Sequence, residues 1–226
     1  MTPEQYRKQF AEDEAVGWNA IDAALAKVYG EQKCRHYAAS IPFELGGDEP
    51  LSGISIYDVA ATNTAPFHRH VVSYGMSELF YFPESAGAEF SRWGFEFTFR
   101  IIPFANDNNA DNEPSWAVGL MNNLASYVCT SKKWFEINHF IPANGPIRLE
   151  TKTEITALAF VLDPALGSIN TPNGKVDFLQ MVGLTSKEYE WLKSAPDLER
   201  TASLLVKMRE DNPLLVTDLT RTYSYV

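Results

Sequence analysis

The residues of this chain best equipped for chemistry are its four histidines and a few scattered carboxylates. His68 and His70 stand two apart, so on a strand they share a face, as some zinc and copper ligands do. His139 offers a third ligand and Asp163 a fourth, which together would suit a metal-dependent hydrolase. No second spaced pair and no acidic cluster supports that set, and histidines that hydrogen-bond at a loop mouth are the commoner case. No metal and no cofactor is therefore expected. Nucleophilic catalysis fares no better. There is no G-x-S-x-G elbow, and Cys129 falls inside an amphipathic helical pattern, where a buried thiol is inert. Neither G-x-x-x-x-G-K-[ST] nor G-x-G-x-x-G occurs, so the chain carries no phosphate loop motif. Catalysis is not what these residues advertise, and no enzyme is expected.

The elements that would position them can be read from hydrophobic periodicity. A helix is expected from about Ala15 to Tyr29, stopping at Gly30, with Trp18, Ile21, Leu25 and Val28 as its buried stripe. The segment IPFELGGDEP reads as a loop, and Ile54 to Val59 as a strand. The clearest strand is Trp93 to Ile101. Trp93, Phe95, Phe97, Phe99 and Ile101 fall on one face and Gly94, Glu96, Thr98 and Arg100 on the other, the period of a half-buried strand. A polar loop, ANDNNADNE, follows. Pro114 then opens a helix that carries Trp116, Leu120, Leu124 and Val128 at four-residue steps. Further strands are expected at Ile155 to Leu162, Val176 to Val182 and Leu214 to Leu219. Thr185 with Glu188 makes a capping box for a short helix ending before Pro196, and another helix runs from Leu198 to Arg209. No internal repeat, low-complexity tract or linker divides the 226 residues, which predicts one domain over 1–226.

Composition narrows the partners. Nineteen basic residues against twenty-nine acidic ones leave a net charge of −10, which repels phosphate backbones and favours encounter with a basic protein. The aromatic strand could stack bases, but its neighbours are acidic and no basic stripe accompanies it. MTPEQYRKQF lacks the apolar core of a secretory signal, and the longest apolar run is far short of the roughly 20 residues a membrane span needs. Cys34 and Cys129 are far apart, which fits a reducing cytosol better than a disulfide scaffold. A cytoplasmic protein that binds neither nucleic acid nor membrane is expected.

Five segments share the pattern of one known family. HVVSYGMSEL, from His70 to Leu79, resembles the H-x-x-S-[FY]-G-x-S-[DE]-L segment of the Suppressor of Fused domain. GFEFTFR, from Gly94 to Arg100, resembles its G-F-E-L-T-F-R strand. Pro114-Ser115-Trp116 with Leu120-Met121 and Leu124-Ala125-Ser126-Tyr127-Val128 looks like its P-x-W…L-M-x-x-L-A-x-Y-V helix. Thr171 to Gly174 leading into Phe178 to Gly183 is similar to its T-P-x-G…F-L-Q-[IV]-V-G turn and strand, and Leu215 to Leu219 to its L-I-T-D-[ML]. The matches keep their order and span about residues 15 to 226.

That resemblance implies an α/β (α+β) fold, a mixed and mostly antiparallel sheet with packed helices, and action by binding other proteins. In animals the namesake restrains a transcription factor with the help of a C-terminal domain that this shorter chain does not match. Stand-alone bacterial members are thought to be immunity proteins that neutralise secreted toxins. A regulatory scaffold that sequesters an endogenous protein is the alternative. In the animal relative a peptide is clasped near the helix tyrosine and near an acidic residue preceding a histidine. Here Tyr127 and His139 match, while Asn138 replaces the acid. The expected partner-binding residues are Tyr127, Asn138, His139 and Asp163, with Tyr74 and Glu78 from the S-Y-G-x-S-E segment. For Ser73, Tyr74, Gly75 and Ser77 a turn built on Gly75 is the simpler reading. Gly94 to Arg100 and Phe178 to Gly183 are expected to be core.

Overall fold

A computed structural model of the protein describes residues 1–41, 43, 46–104 and 114–226. The ANDNNADNE loop lies outside the described residues, as does part of IPFELGGDEP. The chain runs α1 (Pro3–Gln9), α2 (Val16–Tyr29), β1 (Arg35–Ala38), β2 (Gly53–Val59), β3 (His68–Tyr74) and β4 (Phe90–Ile101). It continues through α3 (Ser115–Ser131), β5 (Phe140–Pro142), β6 (Ile155–Leu162), β7 (Ser168–Thr171), β8 (Gly174–Thr185), α4 (Ser186–Ser194) and α5 (Leu198–Asp211). The strands form a sheet of order β1-β2-β3-β4-β8-β6-β5, with β7 a hairpin partner of β8. All pairs are antiparallel except β4 with β8 at the centre, where Phe97 lies opposite Leu179. The α/β class with a mixed, mostly antiparallel sheet is the architecture observed.

Alternation along the central strands feeds two cores. Phe95, Phe97, Phe99, Leu158, Phe160, Leu179 and Met181 pack beneath Ala117, Met121, Leu124, Ala125 and Val128 of α3. On the other face Val72, Tyr74 and Phe178 meet Ile21, Ala24 and Leu25 of α2. Farther along that face Ala157, Ala159, Val182 and Leu184 receive Leu192 of α4 and Leu204, Leu205 and Met208 of α5. The capping box at Thr185 and Glu188 is present, with the Glu188 carboxylate accepting the Thr185 N–H at 2.7 Å.

Four sequence expectations need correction. β4 is not half-buried: Glu96, Thr98 and Arg100 are all enclosed, because α2 and its surroundings cover their face and each finds a polar partner. Leu214–Leu219 is no strand. Leu215 takes φ 50°, which breaks an extended run, and only Thr217 bridges to Ile101. In α2 the last turn makes its contact through Tyr29, stacked on Tyr57 at 4.1 Å, and Val28 is left exposed. Cys129 is half-buried in α3, not sealed.

Candidate functional site

The sequence-predicted residues fall into three separate places. His68, His70 and Asp163 gather beneath α2, in the interior. Asp163, directly after β6, is 1% exposed and receives Arg100 Nη2 at 3.2 Å, the Thr98 hydroxyl at 3.1 Å and the backbone N–H groups of Ala165 and Leu166. The Tyr29 hydroxyl donates to His70 Nδ1 at 2.6 Å, which leaves the proton on Nε2, 3.0 Å from the Asp163 carboxylate though bent off the straight line. His68 is fixed the other way round. Its Nδ1–H donates to the Pro66 carbonyl at 2.8 Å, and its Nε2 accepts from Arg100 at 3.2 Å.

Both rings are therefore built to be neutral. Burial, with the Arg100 charge alongside, pushes His70 down to about 4, and burial lowers His68 in the same sense. Burial alone would raise Asp163, but His70, Arg100 and the Leu166 N–H hold it well below the carboxylate range. Burial lifts the Tyr29 hydroxyl to about 12. The result is a Tyr–His–Asp–Arg–His network with its hydrogen bonds turned inward and no path to solvent at His68 or His70. The expectation of histidines at a loop mouth is corrected accordingly. His139 contacts neither ring, so the three-histidine metal set is not assembled; among the described residues no three His, Cys, Asp or Glu side chains are grouped to hold an ion.

A second enclosed polar group escaped the sequence reading. The Glu96 carboxylate accepts from the Ser73 hydroxyl at 2.6 Å, the Ser77 hydroxyl at 2.6 Å, and the N–H groups of Gly75, Met76 and Ser77. Burial raises its pKa and these donors oppose that. Gly75 sits at φ 133°, and a Cβ there would come within 2.8 Å of the Ser52 nitrogen, so no side chain fits. Ser73, Gly75 and Ser77 thus form the expected turn, and they do so around a carboxylate. Tyr74 is 1% exposed and donates to Asp22 at 2.8 Å, while half-buried Glu78 accepts the Phe80 N–H. Buried Tyr74 and Asp163 cannot touch a partner in this conformation, which corrects their assignment to the binding surface.

Tyr127, Asn138 and His139 do come together, at the surface. They line a cavity of about 440 Å³ with Trp134, Phe135, Phe140, Ile141 and Leu198. Tyr127, 40% exposed on α3, stacks on Phe135 at 5.8 Å; Phe135 stacks on Phe160 at 4.3 Å, and Phe160 leans on Phe97 in the core. This column of rings anchors the cavity wall. Asn138 adopts φ 68°, a conformation asparagine tolerates, and its N–H donates to the Phe160 carbonyl at 2.8 Å. His139 Nδ1 accepts the Glu136 N–H at 3.1 Å, which leaves Nε2 to carry the proton.

The floor of the cavity is the sheet edge itself. The His139 carbonyl accepts the Phe160 N–H of β6, and the Ala143 N–H donates to the Thr156 carbonyl. By alternation Phe140 turns its N–H and carbonyl outward, and Pro142 its carbonyl. Sequence reasoning missed Trp134 and Phe135. Their signal was two adjacent aromatics among Lys132, Lys133 and Glu136, a polar run in which a loop has no need of rings.

Comparison with known proteins follows the same lines. The family model described as Suppressor of fused protein (SUFU) matches residues 47–222. The curated Suppressor of fused homologues of Homo sapiens and Mus musculus are each 29% identical over 219 residues, 91% of this chain and 43% of theirs. The chain thus spans less than half the length of these relatives. Drosophila Suppressor of Fused superposes with a TM-score of 0.82 at 27% identity, over 95% of this chain and 52% of that one. A chain of the Sufu–Fu complex gives 0.81 at 27%, over 93% of each. A SUFU homologue from Neisseria gonorrhoeae FA 1090 gives 0.60 at 15%, over 93% of this chain and 97% of that one, a likeness of fold alone.

Proposed function

This chain belongs to the Suppressor of fused protein family, and from that premise we propose that it works by holding another protein, without catalysis, at the cavity bounded by Tyr127, Asn138, His139 and β5. The observation that carries the reading is the coincidence of an aromatic-walled cavity with an outward-facing strand edge. A partner strand laid along β5 would bond to Phe140 and seat a side chain against Tyr127 and Trp134, so that the main chain supplies affinity and the cavity supplies selectivity. The relative solved as a Sufu–Fu complex is itself a protein–protein assembly, which supports binding as the mode of action.

Within that reading the specific role proposed is immunity: stoichiometric neutralisation of a secreted toxin domain, in the cytoplasm. A charge of −10 suits a basic target such as a nuclease. Sequestration of an endogenous regulator is the second reading, favoured by the complex just named. The decisive experiment captures partners from the source cells on the tagged chain and rebuilds each candidate pair from purified proteins. A one-to-one complex with a toxic domain, abolishing its toxicity, is the expected result. Tyr127→Ala and Phe140→Pro should each weaken that complex about tenfold or more, the proline by removing the outward N–H while leaving the β6 ladder intact. Full affinity in both variants would refute the location. A purified regulator bound in place of a toxin would refute immunity.

A further inference from the structure

A second, larger cavity adjoins this one and shares the Trp134–Phe135 pair with it. It measures about 650 Å³, within the range of ligand sites, and is lined by Phe90, Arg92, Trp93, Phe95, Ile137 and Asp177 among others. Its rings are unusually open: Phe90 is 45% exposed and Trp134 is 53%. A shallower hollow continues it past Trp93 toward Phe43, Cys129 and Lys132, sharing Arg92 and Trp93 as a common ridge.

The charge here runs against that of the molecule as a whole. Lys132 stands 5.7 Å above the Trp93 ring and Lys175 stands 5.6 Å above that of Phe90, so the apolar floor is rimmed by cations. Exposed Arg92, which lines both hollows, donates to the Gly75 carbonyl at 2.9 Å. Two carboxylates are near, and both are engaged. Asp177 is 2.9 Å from Lys175 and also accepts from Ser168, and Glu136 accepts the Trp134 indole N–H at 3.1 Å. The backbone sets this arrangement. Arg92 is held at φ 52° and Gly94 at φ 82°, where β4 kinks between its pairing at Phe90 and its pairing at Phe95, and the kink splays Phe90, Arg92 and Trp93 outward.

We infer that this groove is a second docking site, one that takes an acidic peptide segment bearing aromatic or aliphatic side chains. The rings receive the apolar side chains, while Lys132 and Arg92 meet the carboxylates and Lys175 is shared with Asp177. Such a segment tolerates the overall negative charge because screening confines each charge to about 8 Å at physiological salt, so the nearest cations dominate. A concave, ring-floored groove favours a peptide over a membrane, which would need a convex apolar face. The groove shares its Trp134–Phe135 wall with the β5 site, while Phe90, Arg92 and Trp93 line this groove and not that cavity.

The test uses the full chain and a fluorescein-labelled decapeptide of alternating glutamate and phenylalanine, read by fluorescence anisotropy. Two controls replace every glutamate with lysine or every phenylalanine with alanine. Saturable binding of the first probe, at least tenfold tighter than either control, is expected. Lys132→Glu and Phe90→Ala, both at exposed side chains, should each weaken it about fivefold or more with unchanged circular dichroism. Phe140→Pro, at a residue that lines the β5 cavity and not this groove, should leave it unaltered, which separates this site from the one at β5. Equal binding of the lysine control, indifference to both groove variants, or no saturation by about 1 mM would overturn the inference. So would binding to phosphatidylserine vesicles in place of the peptide.

Discussion

His68 and His70 show how little a spacing says about charge until its surroundings are known. Two histidines on one strand face read as ligands from sequence, yet Tyr29 and Arg100 bond to their rings and the Asp163 carboxylate lies 3.0 Å from His70 Nε2. That arrangement has a measurable cost. His70 is pushed down to about 4 in the folded protein, against about 6.5 for an exposed histidine, so the unfolded chain binds more protons between those values. Stability from this residue is complete above about pH 6.5 and is lost as pH falls toward 4, by at most on the order of 3 kcal/mol. Urea unfolding at pH 7 and pH 5 should show the midpoint falling with acid. His70→Asn, which keeps an acceptor for Tyr29, should lower the midpoint at pH 7 but flatten its pH dependence. An equal slope in the variant would place the proton uptake elsewhere. The burial of Glu96, Thr98 and Arg100 was invisible in sequence for a common reason. Alternation marks them as the polar face of a strand, and only the helix lying over that face makes them interior.

The same limit operates on the elements. Boundaries set by local chemistry were legible: Gly30 ending α2, the capping box opening α4, and β6 from Ile155 to Leu162 all stand where the pattern put them. Elements that exist only through distant neighbours were not. β5 is three residues long and holds its shape by pairing with β6, while Leu214–Leu219 had the composition of a strand but no free edge long enough to join. Of the expected binding residues, Tyr127, Asn138 and His139 were brought together by α3 and the turn before β5, and Tyr74 and Asp163 went to the interior. Close docking of α2 gives a direct test. The N–H groups of Gly17 and Trp18 donate to the Leu79 carbonyl, and a methyl group at Gly17 would press into the Glu78 backbone. Gly17→Ala should therefore destabilise by about 1–3 kcal/mol, despite alanine's better helix propensity. Gly119→Ala, in α3 with open space around it, should stabilise by about 0.5–1 kcal/mol. Thermal unfolding of the pair reads both signs, and a gain at Gly17 would mean that α2 does not sit this close.

For the molecule as a whole, the proposed basic partner and the net charge of −10 make a kinetic prediction. The association rate should fall about tenfold or more between low and 0.5 M salt, with dissociation little changed, because steering acts before contact. Stopped-flow mixing of the reconstituted pair measures this, and a salt-independent rate would remove charge from the account of recognition. The central pairing of β4 with β8 bears on something earlier in the protein's life. Phe97 waits for Leu179, made about 80 residues later, before its strand has a partner on that side. At roughly 5–20 residues per second a ribosome needs about 4–16 s to supply it. Through that interval the nascent chain displays a bare strand edge rich in phenylalanine, the feature that invites aggregation. Slow synthesis, or stalling between β4 and β8, should thus be far more harmful to yield than the stability of the finished protein would suggest.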